Sequence, residues 1–332
     1  MNKTLYVAKE GTLRRKNNTL VVETRDGPPV FVPVEAIEDI NLMGGAEMTT
    51  GLMELLNQKG IVLHVFNYYG NHVATVYPDQ ADNGQELIAQ AAFWLDEGKH
   101  HALASAFVAG AIANMERVAS YYQYQKGIDI KDILESLVRF AEQTKGTTDI
   151  PELLGIEGSA RNAYYRLFDR LIQDEAFKLG HRVRQPPDNP MNTLISFLNC
   201  VCYSMTLSQI HQTRLDPRIG FLHSPSNRHP SLNLDLAEIF KPLLVDRLIF
   251  TLVNKRMVKE EDFVRREDGV ILMTKEARKL VAQTWDNRLC KTLTDPATGK
   301  RASWRHLVLL EAQKLQKHIL EGADYEPFRY RW

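Results

Sequence analysis

Hydrophobic and polar positions change their spacing along the chain near residue 85. Before that point, short runs rich in Val, Thr, Leu and aromatic residues alternate with turn residues, a pattern that predicts β-strands. The predicted strands are Thr4–Ala8, Thr19–Thr24, Phe31–Val34 and Ile61–Phe66. One helix is predicted among them: it would begin at Thr49 or Thr50, carry an apolar stripe of leucines and end at Gly60.

From Glu86 onward, apolar residues recur at intervals of three and four, which is the period of amphipathic helices. A β-hairpin is predicted over 263–273, with its turn at Asp268-Gly269. The fold class is therefore predicted to be α+β, with a small β-rich domain over 1–85 and a larger helical domain over 86–332. The predicted helices lie near 86–124, 130–144, 157–180, 190–211, 233–256, 274–290 and 303–320.

Composition and charge restrict the function classes only slightly. Lys and Arg together number 41, as do Asp and Glu, so the net charge is zero and DNA binding would require a local basic patch. The three cysteines cannot all pair and show no CxxC spacing, which is typical of a reducing compartment. No apolar run reaches the ~18 residues of a membrane span, and no signal peptide is apparent. We therefore expect a soluble cytoplasmic protein.

The first candidate for chemistry is Glu157, which lies between Gly155 and Gly158 at the predicted start of a helix. A first-turn glutamate often does no more than interact with the helix dipole. Two glycines around a carboxylate also allow a ligand to approach closely. Arg161 and Tyr165 follow on the same helix and could contact phosphates, although surface arginines more often only face solvent.

The second and third candidates are a histidine and an acidic pair. His223 follows the apolar residues 219–222 in a loop rich in Pro, Gly and Ser, where a histidine is more often structural than a ligand. Asp235 and Glu238 are three residues apart, so a helix places them on one face. The simplest interpretation of that pair is a solvated acidic edge. Burial in this apolar helix would instead require a cation or hydrogen-bond donors.

Taken together, one histidine and several carboxylates form a ligand set that suits Mg²⁺ or Mn²⁺, with Zn²⁺ also possible. A divalent ion stabilises charge that develops on phosphoryl oxygens. The chain has no GxxxxGK[ST] phosphate loop, no HExxH and no GxSxG element. The residues therefore favour a metal-dependent phosphotransfer enzyme.

Four motifs in the helical region resemble, in order, those of the CRISPR-associated integrase family. They are Gly155-Ile-Glu-Gly158, Arg184-Gln-Pro-Pro187 followed by Asn189-Pro-Met-Asn192, Asp216–His223, and Asp235-Leu-Ala-Glu238 with Lys241-Pro242. The N-terminal region resembles the family's β-domain at Leu5–Val7, Gly11–Lys16 and Pro33–Ile37. One departure is Leu198-Asn199, where many family members carry Gly-Tyr.

The resemblance implies a function and a set of site residues. The metal ligands would be Glu157, His223 and Glu238, with Asp235 as a supporting carboxylate and Asn192 organising the catalytic site. The implied reaction is phosphodiester transesterification, in which the 3′-hydroxyl of a short DNA fragment attacks the repeat boundary of a CRISPR array. The resemblance also implies DNA contacts by four side chains: Arg161, Tyr165, Arg182 and Arg184.

The resemblance further implies partners: double-stranded DNA, a second copy of the chain bound through the β-domain, and a small ferredoxin-like CRISPR adaptation subunit. Two other functions remain open from the residues alone. One is a metal-dependent phosphohydrolase that acts on small substrates. The other is a non-catalytic scaffold that binds DNA and uses its acidic residues only structurally.

Overall fold

A computed structural model of the chain describes residues 3–24, 27–79, 84–183, 186–225, 230–295 and 298–331. The chain forms two compact units. The first contains Met1–Asp82 together with Lys275–Cys290, and the second contains Asn83–Thr274 and Lys291–Trp332. The predicted division at 85/86 differs from this arrangement, because the helix over 275–289 belongs to the first unit. Its Asp286 carboxylate accepts a hydrogen bond from the backbone N–H of Thr4, at 3.3 Å.

Two four-stranded sheets form most of the first unit, and small hairpins occur in the second. The strands are β1 (Lys3–Val7), β2 (Gly11–Lys16), β3 (Thr19–Thr24), β4 (Val30–Pro33), β5 (Ile37–Leu42), β6 (Ala46–Met48), β7 (Val62–Phe66), β8 (His72–Val76), β9 (Phe263–Arg265), β10 (Ile271–Met273), β11 (Thr292–Thr294) and β12 (Arg301–Ser303).

The helices occupy most of the second unit. They are α1 (Thr50–Lys59), α2 (Gly84–Leu95), α3 (Glu97–Lys126), α4 (Lys131–Gln143), α5 (Ile150–Leu171), α6 (Pro190–Ile210), α7 (Leu232–Lys241), α8 (Arg247–Asn254), α9 (Lys275–Leu289) and α10 (Trp304–Glu321). Helices α1 and α9 belong to the first unit and the other eight to the second. The predicted α+β class is thus confirmed, with strands concentrated before residue 77 and helices after residue 83.

The first unit is built from a sheet ordered β1-β5-β7-β8 and a sheet ordered β4-β3-β2-β6. In the first sheet, β1, β5 and β7 are parallel and β8 is antiparallel at one edge. Strand β5 is buried at five of its six positions, so it has no polar–apolar alternation and was not predicted. The core includes Leu13, Leu20, Ile40, Leu52 and Leu63, all fully buried.

Three predicted helices differ from the structure at their ends or their middle. The helix predicted over 86–124 is two helices, because the Asp96 carboxylate accepts a hydrogen bond from the N–H of Lys99 and begins α3. The helix predicted from 157 begins at Ile150, with Asp149 accepting from the N–H of Glu152 at 2.8 Å. The helix predicted over 233–256 contains a π-helical turn over Pro242–Asp246.

The predicted hairpin is present as the antiparallel pair β9–β10. Its turn contains Gly269 with φ of +83°, a left-handed conformation that favours glycine. Among the described helices, α6 is the one long and apolar enough to cross a membrane, but 83% of its most apolar window is buried inside the protein. That burial is typical of a central core helix.

The segment after α10 packs against α7. The side-chain amide of Asn114 donates to the carbonyl oxygens of Ile239 and Phe328, both at 2.9 Å. The ring of Phe328 stacks on Phe240, with 5.3 Å between centroids. The described part of the aromatic C-terminus therefore packs within the second unit and supports the helix that carries Asp235 and Glu238.

Candidate active site

Helix α7 carries two carboxylates one turn apart, and both are buried. Asp235 is fully buried and Glu238 is 5% exposed. Their interpretation as a solvated acidic edge is therefore wrong. An ionised carboxylate in such a position must be neutralised or extensively hydrogen-bonded, and the two residues achieve this in different ways.

Backbone groups of the loop before α7 surround the Asp235 carboxylate. It accepts hydrogen bonds from the N–H groups of Phe221, Leu222 and His223 at 2.6, 3.1 and 2.9 Å. The Nδ1–H of His223 adds a fourth hydrogen bond at 2.7 Å. These donors fix the loop around the carboxylate and orient the histidine ring.

The loop can adopt this shape because of a close approach at Gly220. A Cβ atom at position 220 would lie 2.8 Å from the His223 carbonyl oxygen and from the backbone of Ser231. The Gly220 N–H donates to Ser231 Oγ at 2.9 Å. From α2, the Gln90 side-chain amide donates to the carbonyl oxygens of Asp216 and Ile219, which holds the start of the loop.

His223 is oriented for coordination chemistry. Burial by itself would lower the pKa of its imidazole, but the hydrogen bond and charge of Asp235, with Glu238 and Glu157 nearby, raise the pKa overall. With Nδ1 donating to Asp235, the neutral ring carries its lone pair on Nε2. A carboxylate that fixes a histidine in this tautomer is the usual support of a metal-bound imidazole.

Two buried cations neutralise Glu238. Lys241 Nζ donates to its Oε1 at 2.6 Å, and Arg161 donates to its Oε2 at 2.9 Å. Burial would raise the pKa of Glu238, but Lys241 and Arg161 overcome that effect and lower it to about 2. Glu238 is therefore an anion at any physiological pH.

Arg161 joins Glu238 to a third buried carboxylate. Its other terminal nitrogen lies 3.1 Å from Asp246, at the end of the π-helical turn that follows α7. Burial raises the pKa of Asp246 to about 6 in spite of this ion pair. Arg161 is only 6% exposed, and its guanidinium is bound by two carboxylates. Arg161 therefore neutralises Glu238 and Asp246, and its contact with a phosphate stays a prediction.

Glu157 differs from both α7 carboxylates because it has no partner among the residues that the structure describes. It lies in the third turn of α5, not at the helix start, so stabilisation by the helix dipole does not explain it. It forms no hydrogen bond or ion pair within the described part of the chain. Burial raises its pKa, and the negative charge of Glu238 raises it further. Gly155 and Gly158 leave open space beside the helix.

As they stand, no three His, Cys, Asp or Glu side chains among the described residues lie close enough together to hold a metal ion. The donor chemistry nevertheless fits one. Glu157, His223 and Glu238 influence one another's ionisation, so they share one electrostatic environment. Glu157 is a desolvated carboxylate beside a second one, and a divalent cation would relieve their repulsion.

Asn192 organises the chain that leads into α6. Its Oδ1 accepts from Arg182 at 2.9 Å and from the Val183 N–H at 3.2 Å, and its Nδ2 donates to the His181 carbonyl oxygen and to Asp188. Arg182, half-buried, also donates to the Val183 carbonyl oxygen. The Tyr165 ring is nearly buried against Phe168, at 5.3 Å between centroids. Arg184 lies outside the described residues.

Three residues of this site were not predicted as members of it. Lys241 follows Glu238 by one helical turn, and this spacing could have indicated an ion pair. Asp246 is a single acid in an apolar helical run, which also signals a buried partner. Tyr203, whose hydroxyl accepts from Lys241 at 3.1 Å, had no sequence signal.

The chain matches known proteins over its full length. The family model described as CRISPR associated protein Cas1 matches residues 5–287. The CRISPR-associated endonuclease Cas1 2 of Thermodesulfovibrio yellowstonii is 40% identical, with 100% of both chains aligned.

Two solved structures have the same fold. A Cas1 protein from Thermotoga maritima is 35% identical, with a TM-score of 0.86 and 99% of each chain covered. A casposase bound to its integration product gives a TM-score of 0.85 over 99% of this chain and 94% of that one, but at 19% identity it supports the fold alone. The family predicted from the four motifs is confirmed, and the chain belongs to the Cas1 family of CRISPR-associated proteins.

Proposed function

We propose that this chain is a metal-dependent DNA endonuclease and integrase of CRISPR adaptation, and that Glu157, His223 and Glu238 hold its ion. Family membership supports the activity. The main support for this ion site is the state of Glu157. It is a desolvated carboxylate with no hydrogen-bond partner in the described chain, and it lies next to the anionic Glu238. A buried carboxylate of this kind is costly unless it binds a cation.

The proposed ion is Mg²⁺ or Mn²⁺, because two carboxylates and one imidazole form a mainly hard ligand set. When bound, a divalent ion supplies stabilisation of the charge that develops on phosphoryl oxygens during transesterification. Asp235 keeps the His223 lone pair on Nε2. Asn192, at the start of α6, keeps Arg182 in position. Arg161 and Lys241 hold Glu238 ionised at its place on α7.

The reaction follows from these roles. The 3′-hydroxyl of a short DNA fragment attacks a phosphodiester at the repeat boundary, and the leaving group is the adjoining 3′-oxygen of the array, so no covalent protein intermediate is required. Arg182, Arg184 and the Tyr165 hydroxyl are proposed to contact DNA. Two strands must be attacked, which requires two copies of the site.

The proposed partners follow the family resemblance. They are double-stranded DNA, a second copy of this chain bound through the first unit, and a small ferredoxin-like adaptation subunit. A net charge of zero fits this assembly, because the DNA-binding surface would have to be formed locally or across several subunits. The proposed location is the cytoplasm.

Strand transfer tests this proposal. A labelled duplex, a repeat-containing plasmid, the small subunit and Mn²⁺ are mixed with the wild type, His223→Ala, Glu157→Gln or Glu238→Gln. We expect each variant to lose at least about 100-fold in joining rate, since each loses an ion ligand. Glu135→Gln, which neutralises an exposed glutamate on α4, serves as the control and should join at the wild-type rate.

Calorimetric titration with Mn²⁺ separates the competing explanations. Loss of both ion binding and joining in Glu157→Gln supports the ligand assignment. Joining that survives in all three variants would remove the proposed site. DNA binding without joining by any protein favours the scaffold function, and hydrolysis of nucleotides without DNA joining favours the small-substrate phosphohydrolase.

A further inference from the structure

Helix α6 is exposed to solvent along one narrow edge. Within Met191–Ile210, sixteen of twenty positions are buried. The other four, which we call the α6 stripe, are Ser196, Asn199, Cys200 and Tyr203. At 3.6 residues per turn these four positions fall within an arc of about 100°, so they form one continuous edge roughly 10 Å long.

The two ends of the α6 stripe are connected to the groups described above. At one end, Ser196 Oγ accepts a hydrogen bond from Arg182 at 2.9 Å, and Asn192 holds the same guanidinium. At the other end, the Tyr203 hydroxyl lies 3.1 Å from Lys241 Nζ and 3.5 Å from Glu238 Oε1. The stripe therefore runs from a fixed cation to a proposed ion ligand.

Asn199, in the middle of the stripe, has a polar group without a partner in the described part of the chain. Its Oδ1 is buried and forms no hydrogen bond with the described chain, although the residue as a whole is half-exposed. Buried polar atoms are nearly always paired in folded proteins, so an unpaired one requires an explanation. Because the residue is half-exposed, rotation of its carboxamide would bring Oδ1 to a bound ligand that donates a hydrogen bond to it and accepts one from Nδ2.

We propose that Asn199 is a specificity-determining residue whose carboxamide contacts the edge of a base near the 3′ end of the incoming strand. The inference rests on the proposed function, which requires a 3′-hydroxyl to reach Glu238. A length of roughly 10 Å accommodates about three stacked nucleotides at 3.4 Å each. Arg182, a DNA contact in the proposed function, lies at the far end of this segment. A carboxamide pairs best with adenine, donating to N7 and accepting from N6.

Binding of two labelled DNAs to the full-length chain tests the proposal. One is a duplex with a three-nucleotide adenine overhang at its 3′ end, and the other is the matched blunt duplex. By fluorescence anisotropy, Asn199→Asp should bind the overhang DNA about tenfold more weakly and the blunt DNA as the wild type does. Asn287→Asp makes the same change at an exposed position of α9 and should alter neither affinity.

A thermodynamic cycle identifies the base as the contacted group. Replacing the three adenines by abasic sites should weaken wild-type binding about tenfold, but should weaken Asn199→Leu binding about twofold, because the side chain that recognises the base is already absent. Equal losses in both proteins would overturn the assignment, as would equal effects of Asn199→Asp and Asn287→Asp. Thermal unfolding of each variant verifies that the fold is retained.

The result is separable from that of the proposed function. If Asn199→Asp binds both DNAs like the wild type while the wild type joins strands, the role of Asn199 is wrong and the integrase function stands. If the wild type joins no DNA, the integrase function fails, and the anisotropy data still decide whether Asn199 contacts a base.

Discussion

Asp235 and Glu238 lie one turn apart on the same buried helix, yet they are neutralised by different parts of the molecule. Asp235 is held by three backbone N–H groups and one imidazole, all from a single loop. Glu238 is held by two flexible side chains, Arg161 and Lys241, from two helices. Backbone donors cannot leave without unfolding the loop, whereas side-chain cations can change rotamer.

This difference separates structural from exchangeable carboxylates. Asp235 has no oxygen available to another group without breaking the loop, which suits a residue that positions His223. Glu238 can exchange a cation for another cation at little conformational cost, which suits a residue that binds an ion. Four predictions test the contrast, in order of decreasing effect.

The largest expected effect comes from removing the cation shared by Glu238 and Asp246. Arg161→Met keeps the approximate volume but leaves two buried carboxylates without their common partner, which should lower the free energy of unfolding by about 3–5 kcal/mol. Arg166→Met on the same helix breaks a half-exposed ion pair with Asp132 and should cost less than about 1 kcal/mol. Urea denaturation measures both. Equal losses would mean that the buried network has no special role.

The next effect concerns the loop around Asp235. Asp235→Ala leaves the N–H groups of Phe221, Leu222 and His223 without an acceptor, so their hydrogen exchange should accelerate about 100-fold, equivalent to a loss of about 3 kcal/mol. Glu238→Ala should leave the exchange of these three amides almost unchanged. Hydrogen exchange followed by mass spectrometry measures the exchange rates of the three amides in both variants. Acceleration in both variants would show that the two carboxylates are not independent.

Alanine substitutions at two glycines should change the free energy of unfolding in opposite directions. Gly220→Ala places a Cβ against backbone atoms at 2.8 Å and should lower the unfolding free energy by about 1–3 kcal/mol. Gly155→Ala, within α5 and with no atom within 4 Å, should raise it by about 0.5–1 kcal/mol. Thermal denaturation measures both shifts. Stabilisation by Gly220→Ala would contradict the described packing of the loop.

The smallest expected effect is a shift in the pH dependence of Mn²⁺ affinity. Protonated His223 has no lone pair on Nε2, so Mn²⁺ affinity should fall about tenfold for each pH unit below the His223 pKa, which is raised above its ordinary value of 6.5. Asp235→Asn removes the largest contribution that raises this pKa. The fall in affinity should then begin at a lower pH. Titrations between pH 5 and 8 measure the shift, and an unchanged profile would exclude His223 as a ligand.

Much of the fold could be predicted from local sequence patterns. The change from strands to helices, the hairpin at Gly269 and the ends of α6 depend on periodicity and turn residues that act locally. The assignment of α9 to the first unit could not be predicted, because it depends on contacts such as that between Thr4 and Asp286, 282 residues apart. The π-helical turn after Lys241 could not be predicted from local sequence patterns either.

For the candidate site, residue types were easier to predict than partners. Asp235 and Glu238 were placed on one helical face by their spacing alone. Their burial, and the choice of backbone donors for one and cations for the other, depend on α5 and on the loop before α7. Arg161 shows the limit most clearly: the sequence indicated a cation near the site, but only the fold shows that two carboxylates occupy it.

The hydrogen bonds of Asn114 have a consequence for the order in which the protein matures. This amide joins the end of α7 to Phe328, which is synthesised 214 residues after Asn114 itself. During translation, α7 can be made and can contact α3 long before Phe328 leaves the ribosome, but its outer face stays uncovered until then. Helix α7 therefore reaches its final packing only after Phe328 has emerged from the ribosome, so the carboxylates that it carries are supported late in synthesis.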